Sequence, residues 1–301
     1  MKLGFLSAIL PEYSFDQIID YAAALQLKRV ELACWPKGRA DRPYAGVTHI
    51  DADRYDKTAI QAKLAASGVG ISGLGYYPNP LTPDLQQRRD IITHLKKLIQ
   101  TAADLEVKLV NTFIGKDQFA SVDDNFVVFE TVWPDMIKFA EDQGVTVCIE
   151  NCPMYFTKDE APGGVNLAST PAIWERMFGI IDSDNFALNY DPSHLLWMQM
   201  DYIAPIRRFG EKIKHFHVKD AIFYKDKYDS VGPYAPPLEY HQPKLPGLGG
   251  IEWGRVVSAL NDIQYKGDLI IEIEDRAYED DLAARLGSIA LVRNFMGQYV
   301  L

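Results

Sequence analysis

A single closed (β/α)8 barrel of parallel strands is the α/β architecture expected of this chain, on three observations. Strand-like and helix-like segments alternate through eight repeats, and no Ser/Gly-rich or low-complexity linker interrupts them. The 301 residues fit one barrel of this kind, spanning 1–301 as one domain. No strand is followed by the glycine-rich GxGxxG turn of an open dinucleotide-binding sheet.

Each repeat can be justified in order. Residues 3–7 (LGFLS) form the first strand rather than a signal peptide, because the apolar run is short, lacks a small-residue cleavage site and meets Pro11 and Glu12 at once. Ser14 is a natural N-cap for a helix with apolar residues at helical spacing. Residues 29–35 (RVELACW) are strand two. A polar loop over 36–50 and a helix stopped by Gly68 follow. Residues 69–77 and 108–115 are strands three and four, with a long helix from Asp84 to Ala103 between them. A fourth helix over 121–144 leads to strand five, residues 145–151 (VTVCIEN). Pro171 suits the first turn of the next helix. Strands six (186–194, FALNYDPSH), seven (213–220, IKHFHVKD) and eight (268–275, DLIIEIED) complete the barrel, and a last helix runs from Tyr278 to about Met296. A Tyr-, Pro- and Gly-rich stretch over 221–250 is the longest irregular segment. It is read either as a lid over the pocket or as a homo-oligomer contact.

Composition narrows the chemistry. The net charge of −10 is scattered, with no long basic run, which argues against a nucleic-acid partner. No segment is long and apolar enough to span a bilayer, so no membrane partner is expected. Cys34, Cys148 and Cys152 have neither zinc-ribbon nor CxxC spacing, and an odd number fits a reduced, cytoplasmic setting. A small molecule is the default ligand.

The last four strands each turn from apolar to polar at their carboxyl ends. Strand five ends on Glu150, strand six on Asp191 and His194, strand seven carries His217 and Asp220, and strand eight carries Glu272 and Glu274. In a parallel barrel these ends meet at one rim. Alternation along each strand puts Glu150 with Cys148, Asp191 with Asn189, His217 with His215 and Lys219, and Glu272 with Ile270 and Glu274. Buried carboxylates need a partner, and a cation provides one. Glu150, Asp191, His217 and Glu272 are therefore expected to converge on one divalent ion. Three carboxylates and an imidazole without thiolate favour Mn²⁺, Mg²⁺ or Co²⁺, with Zn²⁺ also accommodated. His215 is expected to support the site from behind, and Glu274 to pair with a basic side chain. Trp35 and Trp253 are candidates for stacking on a sugar ring.

Glu150 at the end of strand five, DPSH on strand six, HxHxKD on strand seven, PGLGGIEW before the last unit and IEIED on strand eight together resemble the sugar phosphate isomerase/epimerase family of xylose isomerase-like barrels. The resemblance is strongest from Val145 to Asp275 and implies the same four metal ligands. It further implies that Glu150 and Glu272 are the catalytic acid/base pair and that His194 and Lys219 touch substrate. The activity implied is metal-dependent isomerisation or epimerisation of a ketose, inosose or keto-sugar through an enediolate. A lyase or dehydratase eliminating a β-leaving group from a keto-sugar, keto-glycoside or inosose is the alternative. The family's ketose 3-epimerases carry an arginine on the strand-seven side, whereas Val218, Lys219 and Asp220 follow His217 here. A nuclease of the related abasic-site barrels would need more histidine and acidic ligands and a basic surface. Six histidines and net acidity argue against it. A catalytically inert sugar-binding barrel is the remaining reading.

Overall fold

The computed structural model describes residues 1–37 and 44–300, so part of the polar loop expected over 36–50 lies outside the described residues. The chain runs β1 (Leu3–Leu6), α1 (Phe15–Ala24), β2 (Arg29–Ala33), α2 (Lys57–Ser67), β3 (Gly70–Gly75), α3 (Leu85–Asp104), β4 (Leu109–Thr112), α4 (Val122–Gln143), β5 (Thr146–Glu150), α5 (Pro171–Ile180), β6 (Phe186–Tyr190), α6 (Pro192–Trp197), α7 (Ala204–Arg208), β7 (Ile213–Val218), β8 (Asp220–Phe223), α8 (Lys225–Val231), β9 (His241–Lys244), α9 (Trp253–Asp262), β10 (Leu269–Ile271) and α10 (Leu282–Met296). Strands β1 to β7 and β10 pair in parallel in chain order, and β10 closes the circle onto β1. The expected eight-stranded closed barrel is present.

Local chemistry sets the boundaries. Ser14 and Gln17 form a reciprocal capping box at α1, while Asp56, Asp84 and Ser121 accept first-turn amides of α2, α3 and α4. Each such cap contributes about 1 kcal/mol. Helices α2 and α4 stop at Gly68 and Gly144, whose φ values of 68° and 65° are readily adopted only without a side chain. The main core lies between barrel and helices. Ile91, Leu95, Leu98, Ile99 and Ala102 make the buried stripe of α3, and Trp133 of α4 stacks on Phe186 of β6 with centroids 6.1 Å apart.

Two expectations need correction. Strand six ends at Tyr190 rather than running to 194, because Asp191 caps the short helix α6 and Pro192 fills its first turn. The stretch over 221–250 is not wholly irregular. It contains α8 and a two-stranded antiparallel ribbon, in which Asp220, Ala221, Ile222 and Phe223 face Lys244, Pro243, Gln242 and His241. Buried Asp220 fastens this excursion at its return. Its carboxylate accepts from the amides of Ala221 (2.9 Å), Gly247 (3.1 Å) and Ile251 (3.0 Å) and from the Trp253 indole (3.0 Å). Gly249 has to be a glycine, since a Cβ there would stand 2.1 Å from Asp220 Oδ1.

Candidate active site

The carboxyl ends of β5, β6, β7 and β10 deliver one cluster. Glu150 is the last residue of β5. Asp191 follows β6, where its backbone N–H donates to Asn151 Oδ1 (2.7 Å) and its carbonyl accepts from Asn151 Nδ2 (2.8 Å), locking the two strand ends together. His217 lies within β7, and Glu272 extends β10, its amide donating to Val218 O at 3.1 Å. One ligand atom from each of Glu150, Asp191, His217 and Glu272 lies within 4.8 Å of the others. The helical turn of α6 brings His194 back beside Asp191, with Nε2 3.0 Å from Asp191 Oδ2 and 3.3 Å from Glu150 Oε1. Its Nδ1 accepts from the Trp197 indole at 3.3 Å.

The donor atoms test whether a cation fits. Asp191 Oδ1 accepts from Ser193 N, but Asp191 Oδ2, His217 Nδ1 and Glu272 Oε2 are buried without a hydrogen-bond partner. His217 Nδ1 and Glu272 Oε2 stand 2.8 Å apart, and Asp191 Oδ2 stands 3.0 Å from His194 Nε2, so the donor atoms crowd one point. An unsatisfied buried polar atom costs about 1–3 kcal/mol, so three of them in one cluster call for a shared partner. Oxygen-rich donors with one imidazole suit a divalent cation, and the residues present fit it.

Glu31 is the residue that reading strand ends passes over. It lies in the middle of β2, fully buried, with Oε2 2.8 Å from His217 Nε2, and the Tyr77 hydroxyl donates to Oε1. A lone carboxylate between Val30 and Leu32 in a barrel strand is the signal that points to it. His215 lies behind the cluster as expected, with Nδ1 2.9 Å from Asn189 Oδ1 and Nε2 3.2 Å from Ser72 Oγ.

Electrostatics separates the two glutamates. Burial works against charge on Glu150, but His194, His217 and Lys219 outweigh it and hold its carboxyl well below the usual range. At Glu272 burial prevails over Lys219 and His217, and the carboxyl is raised. Lys219 reaches Glu272 Oε1 (3.2 Å) and Glu274 Oε2 (3.0 Å), and these carboxylates overcome burial to keep the ammonium charged. Glu274 thus has its basic partner.

A cavity of about 650 Å³ opens over the cluster, with Glu150, Glu272, Lys219 and Trp35 in its wall. Leu238, Gln242, Pro243 and Lys244 of the excursion form part of the same wall. His194 is buried against Glu150 and Asp191 in the cluster, and Trp253 is core, its indole committed to Asp220. Packing against the returning loop accounts for Trp253 better than sugar stacking. Cys34, Cys148 and Cys152 are free and buried. No helix among the described residues is long and apolar enough to cross a membrane.

The chain is 24% identical to the uncharacterized protein YfiH of Bacillus subtilis over 97% of this chain and 98% of that protein. It is 24% identical to an inosose dehydratase of Clostridium perfringens over 33% of this chain and 34% of that one. Among solved structures, a zinc-bound IOLI protein superposes with a TM-score of 0.72 at 18% identity, covering 99% of each chain. D-psicose 3-epimerase from Clostridium cellulolyticum H10, solved with D-tagatose, superposes with a TM-score of 0.70 at 17% identity, covering 100% of this chain and 99% of that one. Residues 19–292 match the family model described as xylose isomerase-like TIM barrel, and the chain belongs to that family.

Proposed function

We propose that this protein is a divalent-metal-dependent isomerase or epimerase acting on a ketose, inosose or keto-sugar. The observation that carries the reading is the cluster of Glu150, Asp191, His217 and Glu272, of which Glu150 and Glu272 line a cavity of about 650 Å³. Those four residues would hold the ion, which supplies Lewis-acid polarisation of a substrate carbonyl and so acidifies the neighbouring C–H. Mn²⁺, Mg²⁺ and Co²⁺ suit the oxygen-rich set, and Zn²⁺ is supported by the zinc-bound structural neighbour.

The chain's own residues divide the remaining work. Glu150 and Glu272 both face the cavity from separate strand ends, so one can take the proton from carbon and the other return it. Lys219 and Trp35 line the cavity, where the first would hydrogen-bond a substrate oxygen and the second would stack on the sugar ring. Among the described lining residues, six acids (Glu150, Glu160, Glu272, Glu274, Asp275, Glu279) stand against three bases (Lys219, Lys244, Arg276). This balance favours an uncharged polyhydroxy ketone over a phosphorylated one.

The partial match to an inosose dehydratase favours one alternative, in which the same deprotonation expels a β-leaving group. Incubation of the Mn²⁺-supplemented protein with ketoses, inososes and 3-keto-glycosides in D₂O tests both. Deuterium in an otherwise intact carbon skeleton supports isomerisation, and loss of water or an aglycone supports elimination. No exchange and no product across the panel refutes the proposal in favour of a binding protein.

A further inference from the structure

We propose that Glu31 is a positioning residue that fixes the proton of His217 on Nε2 and thereby turns the Nδ1 lone pair toward Glu150, Asp191 and Glu272. The inference deepens the metal reading above and rests on it. Glu31 is fully buried in β2, where an ionised carboxylate persists only if its oxygens are satisfied. They are satisfied from two directions: the Tyr77 hydroxyl donates to Oε1, and His217 Nε2 lies 2.8 Å from Oε2.

A carboxylate only accepts, so the imidazole has to present an N–H at Nε2. A ring that ligates a metal is neutral and carries one N–H, which leaves the lone pair on Nδ1. Asn189 Nδ2, 3.1 Å from the same Nε2, has the Tyr77 oxygen at 3.2 Å as its acceptor and does not compete for that proton. Nδ1 is buried, 2.8 Å from Glu272 Oε2 and 3.8 Å from Glu150 Oε1. That lone pair faces carboxylate oxygens, an arrangement a shared cation satisfies in the loaded site. Placement of Nδ1 as the ligating atom follows, with Glu31 completing a carboxylate–histidine–metal series. The facing strand makes room for it: a Cβ at Gly75 would stand 2.6 Å from Glu31 Oε1.

The test is Mn²⁺ affinity of the full chain, measured by competition with a chelating dye, which needs no substrate. Glu31→Gln removes the charge and lets the amide donate as well as accept, so affinity should fall about 10- to 100-fold. Gly75→Ala, which displaces the carboxylate while leaving it charged, should weaken binding in the same direction. Unchanged affinity in a folded Glu31→Gln protein overturns the inference. Wild-type protein that binds none of Mn²⁺, Co²⁺ and Zn²⁺ refutes the metal reading itself and this inference with it. If the variants do not fold, ¹⁵N-histidine spectra of zinc-loaded wild-type protein decide: a proton on Nε2 with metal on Nδ1 supports the assignment, and the reverse overturns it.

Discussion

Replacing Asp220 with alanine should unfasten one wall of the cavity at a calculable cost. The carboxylate satisfies three donors on the returning chain, the amides of Gly247 and Ile251 and the Trp253 indole, as well as the amide of Ala221. The site is buried, so the three distant donors lose their acceptor with little access to water. At about 1–3 kcal/mol per orphaned group, partly relieved by relaxation, the loss is roughly 3–6 kcal/mol. With an unfolding entropy near 2.1 cal/mol/K per residue, this lowers Tm by roughly 5–10 °C. Asp220→Asn should cost a similar amount, because its amide nitrogen would face donors. Scanning calorimetry reads the shift, with exposed Asp226→Ala as a control expected within about 0.5 kcal/mol of wild type. Since Leu238, Gln242, Pro243 and Lys244 lose their fixed place in the wall, KM should rise in the same variant. A Tm within 1 °C of wild type would refute the claim that Asp220 anchors the excursion.

Glu150→Gln should lower turnover by at least about 10²–10⁴-fold while circular dichroism stays unchanged, and near-normal kcat would remove Glu150 from the acid/base role. Dialysis against a strong chelator should abolish activity and Mn²⁺ or Co²⁺ restore it, with full activity after verified metal removal as the contrary result. Trp35→Ala should raise KM without lowering Tm by more than a few degrees, whereas Trp253→Ala should destabilise by about 3–5 kcal/mol; the reverse pattern would exchange the roles given to the two rings. Burial lowers the His241 imidazole from an ordinary 6.5 to about 4, so its contribution to stability is complete above about 6.5 and is lost as pH falls toward 4. Measured Tm across that window should fall less steeply in His241→Gln, and an unaltered slope would discount this histidine.

Much of the barrel is legible in residue order because each βα repeat carries its own periodicity and stop signals. The four cluster residues are legible because apolar strands that end in acids are conspicuous. Other features depend on partners distant in sequence. Pro243 reads as loop, yet β9 is an edge strand where a missing N–H is tolerated. The helical turn that brings His194 over Asp191 looks like a continued strand until Pro192 is seen to open α6. Trp253 reads equally as sugar platform or core, and only the position of Asp220 separates the two. Glu31 falls outside any rule about strand ends because it works from mid-strand, 186 residues from His217.

The order of the staves has a consequence for how this molecule can change. Glu150, Asp191, His217 and Glu272 come from β5, β6, β7 and β10, four neighbours that occupy one contiguous arc of the circle. The opposite arc contributes Trp35, Tyr77 and Phe113 to the cavity and, among the described residues, one buried acid, Glu31. The four clustered side chains thus sit on one side of the ring, while much of the cavity wall comes from the other. Under the proposed function, exchange of the turns after β3 and β4 would reshape the wall while the clustered side chains keep their spacing.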